Sequence, residues 1–310
     1  MKGTSLILSP HQNPWSLLAL VMILSLLGAF QATAQQLPQF SQYASNTYII
    51  NPAVAGSNDY FDVKALNRYQ WSGVTDAPRT FTLSLSAPLK NPHMGVGGFL
   101  FVDNVGPTRR TGAQVSYSYH VNLTEELRLG LAASVGLTQF TIDGSRIKLA
   151  EADDPALYSE LSSQLVVDGK FGAYLYHDKF YVGFTLPQLF QNKIDLYESE
   201  NPGLNKLEDH YMLLAGYKFQ INDDFMIEPS VLVKYVQPTP VKIDATIRAH
   251  WKEMLYLGAS WRNNDAIVAM IGYEWNRSLT IGYSYDFTTS NMKNYSDGTH
   301  EIGLGFKFGQ

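Results

Sequence analysis

The stretch Val241–Trp251, VKIDATIRAHW, alternates strictly between apolar and polar side chains. Its odd-numbered positions carry valine, isoleucine, alanine and tryptophan. Its even-numbered positions are polar: Lys242, Asp244, Thr246, Arg248 and His250. Because successive side chains of a β-strand point to opposite faces, the stretch predicts a strand with one apolar and one charged face. The apolar face points inward in a soluble sandwich. In a transmembrane barrel it points outward, to lipid, and the charged face then lines a wet lumen.

The same alternation recurs along the chain and predicts fourteen strands. Most of these segments run about 9–12 residues, the length that a tilted strand needs to cross a bilayer. Strands of soluble proteins are usually shorter, about 5–6 residues. The segments are 61–71, 79–87, 94–103, 110–121, 127–138, 164–176, 179–186, 210–221, 225–236, 241–251, 254–262, 266–275, 278–287 and 300–308.

The connections between these segments sort by length. Three long connections, 139–163, 187–209 and 288–299, each follow an odd-numbered segment, whereas those after even-numbered segments have about two to six residues. Short periplasmic turns and longer extracellular loops are typical of outer-membrane barrels. The sequence therefore predicts an all-β fold, a transmembrane antiparallel β-barrel of about 14 strands in contact with outer-membrane lipid, with both termini periplasmic. A soluble β-sandwich with an aromatic core is the alternative.

The first 34 residues have the composition of a secretory signal peptide. Lys2 is followed by the apolar run 15–30 and by Ala32-Thr33-Ala34, a small-residue cleavage site before Gln35. An uncleaved membrane anchor is the alternative, but the run is shorter than the roughly 20 residues that a spanning helix needs. We therefore expect cleavage between Ala34 and Gln35, with Ala32 and Ala34 forming the recognised site.

Charge and cysteine content argue against several classes of site. Without Lys2, 22 basic and 28 acidic residues remain, a formal charge of −6, and no basic stripe offers a surface for nucleic acid. The chain has no cysteine, which excludes a disulfide framework and a thiolate metal site. The histidines lack the spacing of a metal motif, and the pairs Asp153-Asp154 and Asp209-His210 have the composition of solvated loops. We expect no catalytic residue, no cofactor, no metal ion and no enzymatic activity.

Residues 35–60 show no strand period. They read QQLPQFSQYASNTYIINPAVAGSNDY, uncharged until Asp59 and rich in aromatic and aliphatic side chains. A free linker would be more polar, so we expect an ordered segment, either a plug inside the lumen or a surface for a periplasmic partner. The chain then divides into a signal peptide (1–34), this segment (35–60) and the barrel (61–310).

The last predicted strand carries a second signal. Its Glu301, Gly303, Phe306 and Phe308 resemble the C-terminal pattern of polar residue, glycine and two aromatic residues that is read by the barrel assembly machinery. Gly309 and Gln310 extend past the final aromatic residue. We assign these four residues to barrel assembly.

The 35–60 segment contains two motifs, Phe40-Ser41-Gln42-Tyr43 and Asn51-Pro52-Ala53-Val54-Ala55-Gly56. Together they resemble the opening signature of the PorP/SprF family. Further resemblances follow in order at Arg68–Trp71, Phe81–Pro88, Asp103–Gly106, Lys179–Gly183, Pro187–Leu189 and Pro229–Ser230. The family belongs to the type IX secretion and gliding apparatus.

This resemblance implies a non-enzymatic outer-membrane component that assists the export or anchoring of a surface adhesin. It implies contacts with the periplasmic ring and with a peptidoglycan-binding lipoprotein, made through the first two motifs, the outer loops and the lumen. Asn51-Pro52-Ala53 also resembles a short motif of FadL-type transporters, which likewise have fourteen strands. A FadL-like or porin-type channel for small solutes is therefore the alternative function.

Overall fold

The computed structural model describes residues 37–147, 161–190, 209–236 and 239–309. The chain divides into two compact units, Met1–Ala34 and Gln35–Gln310. The predicted cleavage-site residues Ala32, Ala34 and Gln35 lie outside the described residues, as do Asp153 and Asp154.

Fourteen antiparallel strands occupy the described part of the second unit. They are β1 Phe61–Tyr69, β2 Arg79–Pro88, β3 Met94–Val105, β4 Thr108–Asn122, β5 Arg128–Asp143, β6 Leu161–Tyr176, β7 Phe180–Leu186, β8 His210–Tyr217 with Phe219–Gln220, β9 Phe225–Val236, β10 Lys242–Trp251, β11 Leu255–Arg262, β12 Ala266–Trp275, β13 Leu279–Thr288 and β14 Thr299–Phe308. A single helical turn, α1 (Thr47–Ile50), and the 3-10 turn Pro52–Val54 precede β1. Two more 3-10 turns, Gly144–Arg146 and Asn291–Asn294, lie in connections.

Each strand pairs with its neighbours in sequence, and the first pairs with the last. Phe61 of β1 lies opposite Phe308 of β14, and β9 pairs with β10 to complete the ring. The predicted closed 14-strand barrel is confirmed, and the sandwich alternative is excluded because the strands form one closed sheet. Among the described residues, no helix is long and apolar enough to cross a membrane.

Two details differ from the predicted strands. β5 and β6 extend to Asp143 and from Leu161, into what the sequence predicts as the long connection 139–163. In the extra residues of β5 the alternation changes phase: Gln139 is exposed on the outer face and Phe140 is buried on the inner face, the reverse of the wall below them. β8 is interrupted at Lys218, whose backbone N–H donates instead to the carbonyl of Lys179, 2.7 Å away.

The wall has an apolar outer face and a polar inner face, the reverse of a soluble protein. In β10, Ile247 is about half exposed at 51%, whereas Asp244 on the other face is fully buried at 0%. The other strands repeat this pattern with outward side chains such as Trp261, Ile267 and Leu304. The apolar face therefore faces lipid, as the alternation in Val241–Trp251 predicts for a barrel.

The barrel has two unlike ends. We call the end where β1 begins and β14 finishes the short-turn end, because the connections there run from three to five residues between strand bounds. The opposite end, the loop end, carries the connections that follow odd-numbered strands, including 144–160 and 187–209. At the short-turn end, the hydrogen bond from His177 lowers the pKa of the Glu126 carboxyl, 2.8 Å away, below its ordinary value.

Candidate functional site

The lumen is occupied by residues 37–60, which we call the inserted segment. Its C-terminal part joins β1 at the short-turn end, where Ala55 and Gly56 lie beside β3 and β4. Its N-terminal part extends towards the loop end, where Ser41 lies beside β1, β13 and β14. Tyr43 is only 1% exposed, and its hydroxyl lies 3.0 Å from Oγ1 of Thr246 on β10. The polar faces of the strands therefore line a channel that the chain itself fills.

Ser41 lies where several charged side chains of the wall meet. Its hydroxyl donates to the carboxylate of Asp286 at 2.7 Å and accepts from Arg68 at 2.8 Å and from Arg262 at 3.2 Å. A hydroxyl has one donor and two acceptor sites, so this one is fully used. The neutral hydroxyl of Ser41 thus links two guanidinium groups and a carboxylate by hydrogen bonds, without adding a charge to the site.

Glu301 receives the backbone of the same motif. Its two carboxylate oxygens accept from the backbone N–H groups of Ser41 at 2.9 Å and of Gln42 at 2.8 Å. The side chain of Gln42 donates in turn to the carbonyl of Glu301 at 3.1 Å. Arg68 pairs with the same carboxylate at 3.1 Å, and Glu301 is fully buried. Hydrogen bonds to a charged acceptor are stronger than neutral ones. The carboxylate of Glu301 therefore fixes the backbone of Ser41 and Gln42 against β14.

The charges around Ser41 continue into a buried network. Arg262, 1% exposed, pairs with Asp244 at 2.8 Å and with Asp286 at 3.1 Å, and Lys234 pairs with Asp244 at 2.9 Å. Buried ions are tolerated when they are paired and hydrogen-bonded in this way. The network joins strands of the wall to one another, and it meets the inserted segment at the hydroxyl of Ser41.

The second motif makes contact with the opposite part of the wall. The side-chain oxygen of Asn51 accepts from the backbone N–H of Ala53 at 3.0 Å, which caps the turn that Pro52 begins. Its amide nitrogen donates to the carbonyls of Ala173 on β6 at 2.8 Å and Phe184 on β7 at 3.3 Å. One asparagine thus both shapes the segment and attaches it to two strands.

The backbone of the segment lies close to the backbone of β3 at Gly56. This glycine has a φ of +74°, and a Cβ there would lie 2.6 Å from the Cα of Gly95 on β3. The neighbouring carbonyl of Ala55 accepts from the hydroxyl of Ser118 at 2.6 Å and lies 2.7 Å from Nε2 of His120. Gly56 and Gly95 therefore allow two backbones to touch where any side chain would separate them.

The charged row of β10 differs from its sequence-based description. The sequence predicts that Lys242, Asp244, Arg248 and His250 line a wet lumen. They do face the lumen, but Arg248 pairs with Glu228 at 2.8 Å and donates to Ser45 of the inserted segment at 3.0 Å. Asp244 and Arg248 are buried because the segment fills the space that water would take.

The residues assigned to barrel assembly lie on two faces of β14. Phe306 and Phe308 are exposed on the outer face at 50% and 42%. Glu301 and Gly303 face the lumen, where Gly303 lies near the side chain of Gln42. Glu301 therefore contacts the inserted segment, a role that the assembly pattern does not indicate.

Three residues of this site lie outside the motifs that sequence reasoning favours for it, namely Arg262, Asp286 and Glu228. The sequence signal that could have identified them is a charged residue on the polar face of a predicted strand, close to one end of that strand. Arg68 has the same signal within a family motif. Their mutual contacts depend on closure of the barrel, which alternation along a single strand does not reveal.

Two cavities lie beside the inserted segment among the described residues. The larger, about 310 Å³, lies towards the short-turn end and is lined by Ser45, Tyr48, Arg248, Tyr256 and other polar side chains. The smaller, about 130 Å³, is mainly apolar and lies towards the loop end beside Phe40 and Ile49. In the described part of the chain, no group of three or more potential metal ligands occurs.

Comparison with solved structures identifies outer-membrane barrels as similar folds. The crystal structure of the Ralstonia pickettii toluene transporter TbuX matches with a TM-score of 0.52 at 10% identity, over 84% of this chain and 92% of that chain. A Pseudomonas aeruginosa FadL homologue matches with a TM-score of 0.45 at 13% identity, over 89% and 94%. The likeness to TbuX shows a shared fold and no more. No curated protein sequence matches this chain.

The family comparison covers nearly all of the described molecule. A family model described as "Type IX secretion system membrane protein PorP/SprF" matches residues 32–306. The match includes the whole inserted segment and all strands except the last two residues of β14. With its barrel fold and its lumen-bound opening motifs, the chain belongs to the PorP/SprF family of type IX secretion system membrane proteins.

Proposed function

We propose that this protein is a closed, non-enzymatic scaffold of the type IX machinery that assists export or surface anchoring of secreted adhesins. The observation that supports a scaffold is the filled lumen, in which Ser41, Gln42 and Asn51 bond to strands on opposite sides of the barrel. A solute would have to break these bonds to pass. The working surfaces are then the two ends of the barrel and not the channel.

The two ends suit different partners. The short-turn end carries exposed charged side chains such as Asp178, Asp223 and Arg277, and we assign it to the periplasmic ring and a peptidoglycan-binding lipoprotein. The loop end, with the long connections, is assigned to the adhesin on the cell surface. Outer-membrane lipid surrounds the apolar outer face between them.

The segment itself is a poor candidate for partner docking. Tyr43 and Tyr48 are 1% and 6% exposed inside the barrel. A photo-cross-linker at Tyr43 is therefore expected to capture only the barrel wall, whereas one at Asp223 captures a periplasmic protein. Capture of a periplasmic protein from Tyr43 would contradict the scaffold proposal.

A FadL-like or porin-type channel is the second candidate, supported by the 310 Å³ cavity that opens towards the short-turn end. Planar-bilayer recording separates the two functions. We expect the intact protein to conduct poorly and a variant lacking residues 38–56 to show a steady open pore. A large conductance of the intact protein would support the channel.

A deletion strain tests the secretion role directly. We expect loss of adhesin from the surface of intact cells, measured by antibody binding, with unchanged uptake of small solutes. Complementation with the intact gene restores the adhesin. Normal adhesin display together with failed uptake of one solute would overturn the proposal.

A further inference from the structure

The smaller cavity combines an apolar lining with a buried cation. The inserted segment contributes Leu37, Phe40, Ile49 and Ile50, and the wall contributes Phe99 and Met212. Lys170 of β6 also lines the cavity and is 9% exposed. The volume of about 130 Å³ is close to the roughly 150 Å³ of an engineered apolar cavity in another protein that binds benzene.

Lys170 differs from other lysines of the lumen in its partners. Lys64, Lys234 and Lys307 each lie within 3 Å of a carboxylate oxygen. Lys170 makes no such pair within the described ranges. Its ammonium donates to the carbonyl of Ile49 at 3.2 Å and lies 5.9 Å from the ring centre of Phe99. Of its three donors, the described residues use one.

The acid two residues away from Lys170 is engaged elsewhere. One carboxylate oxygen of Asp168 accepts from the backbone N–H groups of Gly169 at 2.8 Å, Leu189 at 3.1 Å and Phe190 at 3.1 Å. These bonds hold the chain after the short strand β7 against β6. Asp168 also lines the cavity, but no ion pair joins its carboxylate to the ammonium of Lys170 among the described residues.

A second polar side chain that lines the cavity also has an atom without a partner among the described residues. The side-chain oxygen of Gln188 is buried and makes no hydrogen bond to a described residue. Rotation of this amide by 180° exchanges its oxygen and nitrogen with little change in shape. Gln188 thus adds a polar group with unused hydrogen-bonding capacity to the lining of the cavity.

We propose that this cavity is a binding site for a small organic carboxylate, with one aromatic ring or a short hydrocarbon chain. The carboxylate bonds to the ammonium of Lys170, and the apolar part lies among Phe40, Ile49 and Phe99. A buried ammonium without a counter-ion is costly, and a bound carboxylate removes that cost. The site is independent of the scaffold function proposed above.

Fluorine NMR of 4-fluorobenzoate, added to the mature protein in lipid nanodiscs, tests the site. We expect a saturable shift of the ligand signal with the unaltered protein. Lys170→Met keeps the length of the side chain but removes its charge and should weaken binding at least tenfold. Lys170→Arg should retain binding, and Lys64→Met, which removes a paired lumen lysine, is the matched control.

The neutral ligand 4-fluorobenzyl alcohol tests the role of charge without a mutation. We expect it to bind at least tenfold more weakly than 4-fluorobenzoate. Three results would overturn the site: no saturable binding of the acid, equal affinity of the Lys170→Met variant, or equal affinity for the alcohol. Heat-modifiable migration on gels verifies that each variant has folded into a barrel.

Discussion

At the scale of single residues, the hydroxyl of Ser41 connects the inserted segment to charged side chains of the wall by hydrogen bonds. Asp286, Arg68 and Arg262 all bond to it, and each of these is itself buried. A small side chain is required there because a larger one would push the guanidinium groups apart. The contact gives the segment its position, although the ion pairs around it belong to the wall.

Ser41→Ala removes this shared hydroxyl without adding bulk. A hydrogen bond to a charged group contributes about 1.5–3 kcal/mol. The charged side chains around Ser41 still pair with one another in the variant, so we expect the free energy of unfolding to fall by about the contribution of one such bond. Urea titration of the protein in detergent measures it. Ser57→Ala, in the same segment, is the control and should change little; equal losses in both variants would contradict the role of Ser41.

Arg68 and Glu301 should behave as a coupled pair. Arg68→Met leaves Glu301 and Asp286 short of a cation, and loss of one partner of a buried pair costs about 3–5 kcal/mol. We expect the Arg68→Met, Glu301→Gln double variant to lose less stability than the sum of the single variants, by about 1–3 kcal/mol. Additive losses in the double-mutant cycle would show that the 3.1 Å contact contributes little.

At the scale of elements, the inserted segment depends on backbone contact with β3. A Cβ at Gly95 would lie 2.3 Å from the carbonyl oxygen of Ala55 and 2.5 Å from the hydroxyl of Ser118. Both atoms belong to the hydrogen bond that holds the segment to β4. The segment and the hairpin β3–β4 therefore fit only when position 95 has no side chain.

Gly95→Ala should displace the segment while the barrel remains closed. Overpacking of this kind costs about 1–3 kcal/mol, and we expect faster proteolytic cleavage within residues 37–60 of the purified protein. Gly98→Ala in the same strand is a matched control, because a Cβ at Gly98 meets no atom within 4 Å. Equal cleavage rates in the two variants would show that close approach at Gly95 is not required.

At the scale of the whole molecule, the barrel reverses the usual distribution of side chains. Aliphatic and aromatic groups such as Ile247, Trp261 and Phe306 face outward at about 50% exposure. Acidic and basic groups such as Asp244, Arg262 and Glu301 are buried inside. Lipid is the solvent for the first set, and the inserted segment replaces water for the second.

The orientation of the barrel in the membrane can be tested with epitope tags. We expect a tag inserted after Lys293, in the connection before β14, to bind antibody on intact cells. A tag inserted after Asp223, in the turn between β8 and β9, should bind only after the outer membrane is permeabilised. Both sites lie in connections and so leave the strands intact. Reversed labelling would place the long loops in the periplasm.

The strands and their faces were predictable from the sequence, because alternation with a period of two is a local property. Val241–Trp251 already separates Ile247 from Arg248, and the even count with short turns on one side favours a closed barrel. The motifs Phe40–Tyr43 and Asn51–Gly56 were also recognisable in the sequence. The apolar composition of their segment indicated that it is ordered, but did not distinguish a plug in the lumen from a docking surface for a partner.

Only the tertiary structure decided what those motifs touch. Ser41 bonds to Asp286, 245 residues away, and Asn51 bonds to Ala173, 122 residues away. Such pairs form because closing the sheet brings the polar faces of distant strands around one narrow channel. Alternation specifies which side chains point into that channel, but their partners depend on its width and on the path of the segment within it.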